Sequence, residues 1–277
     1  MLGEMPPRSA QNTRKTNAAP GKDTPMPFSY PLFLSLEGEH CLVAGLGEVG
    51  RRKLAGLLAA GVGSVLALES GLPAPAGEST DDDELARLCA DPRVHLERRP
   101  CTEADVRASR LVFAATSHAR ENARIAALCR EAGVLCNCAS APELGAFAVP
   151  AVARAGELRA ALSTGGASPA LTRILRRELE LWLAPRAALA RFLGRLRPLV
   201  LAMGADTRHN SQLFRKVAAS PLGDWLAAGD LARCRAWLER ELPPALAAQA
   251  LPLLDGPADV PAAKAPGGTD GEPHEFC

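Results

Sequence analysis

The chain has 277 residues, 47% of them hydrophobic and 23% charged, with a formal net charge of +1. That is enough apolar material for one sizeable domain plus a smaller one, or for two moderate domains. The near-neutral balance argues against a nucleic-acid or anionic-membrane partner. No apolar run approaches the ~20 residues of a membrane span, and the start of the chain lacks the apolar core of a signal peptide.

The eight cysteines are scattered at 41, 89, 101, 129, 136, 138, 234 and 277. Cys41, Cys129 and Cys136 sit inside apolar runs, as buried free thiols do. Such usage fits a reducing cytoplasm better than a disulfide framework. Cys136 and Cys138 would share one face of a strand, but no second pair lies at a zinc-site spacing, so packing is expected and no metal.

Residues 1–27 are proline-rich and polar and are expected to be disordered. A dinucleotide-binding domain is expected over 28–145. It opens with an apolar lead-in, Phe28 to Leu36, and a short apolar strand, Cys41–Ala44. Gly45, Gly47 and Gly50 then fall at G-x-G-x-x-G spacing around Leu46, Glu48 and Val49, and a helix carrying Leu54, Leu57 and Leu58 follows. Gly45 suits the tight turn, Gly47 a close approach of pyrophosphate, and Gly50 close packing of helix on strand. The helix N-terminus supplies free N–H groups and partial positive charge for phosphates. A second strand, Val65–Glu69, ends in an acid followed by Ser70, about 20 residues past the last glycine, where a carboxylate accepts hydrogen bonds from an adenosine ribose. An acid there also repels a 2′-phosphate, so the cofactor reads as NAD.

Gly71–Asp83 reads as a loop, Glu84–Cys89 as a short helix and Val94–Glu97 as a third strand. Thr102 caps a helix to Ala108, Leu111–Ala115 is a fully apolar fourth strand, and a helix spans Ala119–Ala132 before Gly133. Val134–Cys138 is the fifth strand. This alternation predicts an α/β, Rossmann-type doubly wound parallel sheet. Its ligand crevice lies at the carboxyl ends of the strands, where Gly45–Gly50, Glu69, Thr116–His118 and Asn137–Ser140 should converge.

Over 146–205 a small hairpin/helical region is expected. Strands Phe147–Ala153 and Leu158–Ser163 flank Ala155-Gly156-Glu157, and Ser168-Pro169 opens a helix to about Leu183. A helical C-terminal region spans 206–254, with helices at about 208–219, 221–228 and 230–241, and 255–277 is a disordered tail.

Five local signatures occur in order: Tyr30-Pro31-Leu32-Phe33; the glycine loop with Arg52-Lys53; Ala114-Ala115-Thr116 with Asn122; Cys136-Asn137 through Ala141-Pro142; and Ser163-Thr164-Gly165-Gly166-Ala167-Ser168-Pro169. Together they resemble the precorrin-2 dehydrogenase/sirohydrochlorin ferrochelatase family, the N-terminal half of siroheme synthase, over roughly residues 28 to 200. The resemblance implies NAD-dependent oxidation of precorrin-2 to sirohydrochlorin, in some members followed by iron insertion, in a homodimer whose post-Rossmann segment forms the interface and part of the active site.

Such a substrate is a flat macrocycle with eight carboxylates. Asn137, the Gly165-Gly166 turn, Ser168 and Arg173 at the helix start are the candidate substrate ligands. Arg51, Arg52 and Lys53 are candidates for phosphate contact or simple solvation. The family's aspartate before Ala-Pro, its acid/base group, is Ser140 here, and a neutral hydroxyl is a poor base at pH 7. Glu143 and His118 are the candidate stand-ins, and Thr164 keeps the hydroxyl of the family's active-site serine. The candidate catalytic set is therefore Ser140, Thr164, His118 and Glu143. Dehydrogenation is expected and chelation should suffer most. The alternatives are a bifunctional dehydrogenase/ferrochelatase and a catalytically degenerate NAD- and tetrapyrrole-binding protein.

Overall fold

A computed structural model describes residues 30–70, 80–204 and 206–255. The expected disordered segment 1–27 and, Asp255 excepted, the expected tail lie outside the described residues. The chain divides into two compact units between Val149 and Pro150.

The first unit holds five parallel strands: β1 (His40–Ala44), β2 (Ser64–Leu68), β3 (Val94–Glu97), β4 (Leu111–Ala114) and β5 (Leu135–Cys138). Their order is β3-β2-β1-β4-β5, so the chain starts in the middle and winds outwards both ways. The crossovers are α1 (Glu48–Ala59), α2 (Thr80–Cys89), α3 (Glu103–Arg107) and α4 (Ala119–Ala132). Strand side chains alternate between two buried layers. Leu42, Ala44, Leu66, Leu68 and Val112 pack with Val106 of α3 and with Ile125 and Cys129 of α4. Cys41, Val43, Val65, Ala67 and Phe113 pack with Leu54 and Leu57 of α1. Each fully buried leucine contributes on the order of 1.5–3 kcal/mol, which explains why the central strands β1, β2 and β4 are apolar on both faces. The described cysteines are all free.

Local punctuation lies where the sequence places it. Thr102 accepts the Asp105 N–H while Asp105 accepts that of Thr102, a reciprocal cap on α3. Gly133 ends α4 with φ of 70°. Helix α2, however, begins at Thr80, four residues ahead of the expected Glu84.

The second unit opens with a hairpin, β6 (Ala151–Ala155) and β7 (Leu158–Leu162). Ala155 pairs with Leu158 across the two-residue turn Gly156-Glu157, with Gly156 at φ 53°. The expected strand from Phe147 starts four residues late. Phe147 packs edge-on against Phe113, ring centres 5.5 Å apart, and its carbonyl accepts from the Asn137 amide at 3.0 Å. Those partners hold it to the first unit.

Helix α5 (Pro169–Leu183) is followed by α6 (Ala187–Ala202), α7 (Thr207–Ala218), α8 (Leu222–Ala228), α9 (Leu231–Glu241) and α10 (Pro244–Ala250). Sequence reading ended the helices at 241. Helix α10 lies beyond them: Pro244 is well placed at a first helical position, and Leu246, Ala247 and Ala250 bury themselves in the bundle. That core also holds Phe192, Leu196, Val200, Val217, Leu222, Trp237 and Leu238, with Trp225 packed against it. No described helix is long and apolar enough to cross a membrane.

Candidate functional site

The parallel register sets the site. Ala44 is level with Leu68 and with Ala114, and Ala114 with Cys138. The ladder continues one residue beyond each strand: Gly45 N–H to Leu68 O at 2.8 Å, Ala115 N–H to Ala44 O at 2.8 Å, and Ala139 N–H to Ala114 O at 2.9 Å. The glycine loop, Glu69-Ser70, Thr116–His118 and Ser140 therefore leave the sheet at one edge, as expected of a crevice at the carboxyl ends.

Two of the three glycines are required by the fold itself. Gly45 has φ of 91°, and a Cβ there would sit 2.5 Å from Ala115 O; a Cβ on Gly50 would fall 1.8 Å from Gly45 O. At Gly47 a Cβ would meet nothing within 4 Å, so open space lies there. No side chain caps α1 at Gly47, and helix geometry leaves the N–H groups of Glu48, Val49 and Gly50 without an intrahelical acceptor. This cradle fits the pyrophosphate of a dinucleotide.

Glu69 is half-buried, and its Oε2 accepts the Leu46 N–H at 2.9 Å. The Leu46 carbonyl faces Arg51 Nη1 at 3.4 Å. Arg51 is 8% exposed and lies 3.5 Å from Glu84. Its guanidinium thus lies between the glycine loop and α2. Arg52 lies 4.0 Å from Glu48 on the exposed side of α1. Lys53 sits 5.9 Å above the Phe113 ring, where burial, with the Arg52 charge adding, pushes its ammonium pKa down.

At the other end of the crevice one amide organises the groups. Asn122 is fully buried, 0% exposed. Its Oδ1 accepts from Thr116 N–H at 2.9 Å and Thr116 Oγ1 at 2.7 Å; its Nδ2 donates to Thr116 O at 2.9 Å and Ser140 Oγ at 3.0 Å. Sequence reading noted Asn122 in a signature and gave it no role. The available signal was its place at i, i+3, i+4 and i+7 with Ile125, Ala126 and Cys129, a polar residue on the buried stripe. His118 is exposed at the N-cap of α4, its Nδ1 2.8 Å from Ser117 Oγ. Glu143 is exposed in a single 3-10 turn after β5. Asn137, through its bond to Phe147, ties β5 to the chain beyond it.

Thr164, Gly165, Gly166, Ser168 and Arg173 all belong to the second unit. Gly165 and Gly166 have φ of 63° and 85°. Ser168 caps α5, accepting the Leu171 N–H at 3.2 Å. The Thr164 hydroxyl accepts the Ser168 N–H at 3.2 Å and pairs with Thr172 Oγ1 at 3.0 Å. These bonds engage Thr164 in shaping the turn. Arg173 is exposed, whereas Arg176 is paired with Glu180 at 2.5 Å.

Residues 32–151 match the family described as "Putative NAD(P)-binding", and residues 158–180 match "Sirohaem biosynthesis protein central". NAD, the cofactor read from Glu69, agrees with the first match. The siroheme synthase of Nitrosospira multiformis is 31% identical over 214 residues, 76% of this chain and 44% of that protein. The siroheme synthase of Chromobacterium violaceum is 34% identical over 214 residues, 77% of this chain and 43% of that protein. The chain thus spans less than half the length of these relatives. A solved structure described as "SirC, precorrin-2 dehydrogenase" shares the fold with a TM-score of 0.56 and 20% identity, covering 82% of this chain and 99% of that one.

Proposed function

Because the chain belongs to the precorrin-2 dehydrogenase family, the N-terminal half of siroheme synthase, we propose that it oxidises precorrin-2 to sirohydrochlorin in siroheme biosynthesis. NAD⁺ supplies the hydride acceptor when bound. The macrocycle loses one hydride and one proton, giving NADH, H⁺ and sirohydrochlorin. The observation that carries this reading is the succession, in one chain, of a dinucleotide-binding match and a sirohaem-biosynthesis match over 32–151 and 158–180.

In this reading Gly45, Gly47, Glu48, Val49 and Gly50 hold the pyrophosphate, Glu69 and Ser70 the adenosine ribose, and Thr116 lines the crevice at the end of β4. Asn137, Gly165, Gly166, Ser168 and Arg173 are proposed to help hold the substrate, Arg173 by pairing with a carboxylate. The proton passes to water at the exposed mouth or to His118 or Glu143, because the Ser140 hydroxyl is a weak base. Chelation needs pyrrole N–H protons removed, so a serine at 140 penalises it more than dehydrogenation. The described free cysteines agree with a cytoplasmic setting.

A homodimer is part of the same reading. Leu171, Ile174, Leu181 and Trp182 of α5 are 46%, 55%, 76% and 57% exposed. They form one stripe along the helix, and an apolar stripe of that kind marks an interaction surface.

Purified protein given precorrin-2 and NAD⁺ should yield NADH absorbance and the sirohydrochlorin spectrum in step; absence of NADH at every pH tried would reject the proposal. Ser140 favours a second reading, a degenerate binder of NAD and tetrapyrrole. Turnover by Ser140→Asp with none by the wild type would select it. Siroheme formed with Fe²⁺ above the spontaneous rate would select the bifunctional alternative.

A further inference from the structure

The orientation of the Asn122 amide is not open to a flip. The Thr116 N–H can only donate and the Thr116 carbonyl can only accept, so Oδ1 faces the first and Nδ2 the second. The remaining lone pair of Oδ1 takes the Thr116 hydroxyl proton, and the remaining N–H of Nδ2 goes to Ser140 Oγ at 3.0 Å. All four hydrogen-bonding positions of the amide are then used. Ser140 Oγ is consequently an acceptor towards the interior, and its own proton must find a partner elsewhere. The nearest inner alternative, Cys138 Sγ at 4.0 Å, is a weak acceptor at the limit of reach. Ser140 itself is exposed at the crevice edge.

We infer that Asn122 is a positioning residue that locks the Ser140 hydroxyl as an outward-facing hydrogen-bond donor, and that Ser140 uses this donor to bind a carboxylate of the tetrapyrrole. The inference rests on the tetrapyrrole assignment above and deepens it. An ionised carboxylate only accepts, so a preset donor suits it. An aspartate at 140, receiving the same Asn122 N–H, would be held in its charged form and would repel carboxylates. On this account Ser140 has exchanged a base for a substrate ligand.

The test is equilibrium binding of sirohydrochlorin, which carries the same carboxylates, followed by its visible absorbance, with NAD⁺ affinity and a melting curve as controls on folding. A hydrogen bond to a charged group predicts that Ser140→Ala weakens sirohydrochlorin about tenfold or more and leaves NAD⁺ affinity unchanged. Ser140→Thr, which keeps the hydroxyl, should recover most of the loss. Asn122→Ala should weaken sirohydrochlorin similarly, and adding it to Ser140→Ala should cost little more, as expected of coupled sites. If Asn122→Ala does not fold, Asn122→Asp replaces it, since its carboxylate would draw the Ser140 proton inwards and mimic Ser140→Ala. Unchanged binding by Ser140→Ala, or additive losses from the two sites, overturns the inference. A wild type that binds sirohydrochlorin through Ser140 but forms no NADH removes the dehydrogenase reading alone. NADH formation with binding and KM indifferent to Ser140→Ala removes this inference alone.

Discussion

The carboxylate of Glu69 accepts the backbone N–H of Leu46 at 2.9 Å, so the acid beyond β2 braces the loop that follows β1. Glu69 thus combines a structural bond with the negative charge that selects against a ribose 2′-phosphate. Glu69→Gln keeps an acceptor and removes the charge. Its stability should change by about 1 kcal/mol or less, while the preference for NAD⁺ over NADP⁺ should narrow by about tenfold. Parallel titrations with both dinucleotides measure this; an unchanged preference would remove Glu69 from cofactor selection.

The three loop glycines should separate on substitution. Gly50→Ala places a methyl 1.8 Å from Gly45 O, which requires the helix and loop to part and should cost several kcal/mol, above the ~1–3 kcal/mol of ordinary overpacking. Gly47→Ala meets nothing within 4 Å and should melt like the wild type yet bind NAD⁺ at least about tenfold more weakly, since the methyl occupies the pyrophosphate approach. A Gly47→Ala variant with full NAD⁺ affinity would place the cofactor elsewhere.

Acid should weaken the first unit at an identifiable point. The Arg99 guanidinium, 2.6 Å away, holds the Asp105 carboxyl well below the usual carboxylate range, and the bonds from Thr102 reinforce it against burial. A depressed carboxyl adds stability in full above its unfolded value of ~4 and loses it as the pH falls towards the folded value. Asp105→Asn should therefore cost about 1–2 kcal/mol at pH 7, with the gap to wild type closing in acid. Urea unfolding across that pH range checks the sign; a gap that widens in acid contradicts it.

Association should depend on α5. Ile174→Glu puts a charge on a side chain that is 55% exposed in the single chain and would be desolvated in a dimer. The wild type should sediment as a dimer and Ile174→Glu as a monomer of unchanged helicity. A wild type that is monomeric at micromolar concentration defeats the homodimer proposal.

What could be read in advance was mostly what neighbouring residues decide among themselves. The Thr102–Asp105 cap, the Gly133 stop and Ser168-Pro169 at the start of α5 each rest on contacts within a few residues. Parallel topology followed from the alternation of helices with apolar strands. The misplaced boundaries had distant causes. Phe147 is held by Phe113 and Asn137 instead of entering β6, and α10 exists because the bundle offers Leu246 a place. At the site, the glycine spacing was legible, but the work of Arg51 and Asn122 was not. Both act through partners that folding brings in from elsewhere: Glu84 for Arg51, and Thr116 and Ser140 for Asn122.

The separate core of the helical unit has an optical corollary. The chain's three tryptophans, Trp182, Trp225 and Trp237, all fall after Pro150, while its single tyrosine, Tyr30, lies before it. Excitation selective for indole therefore watches the helices melt and leaves the nucleotide half dark. Comparing that signal with circular dichroism would reveal whether the halves come apart together or one after the other.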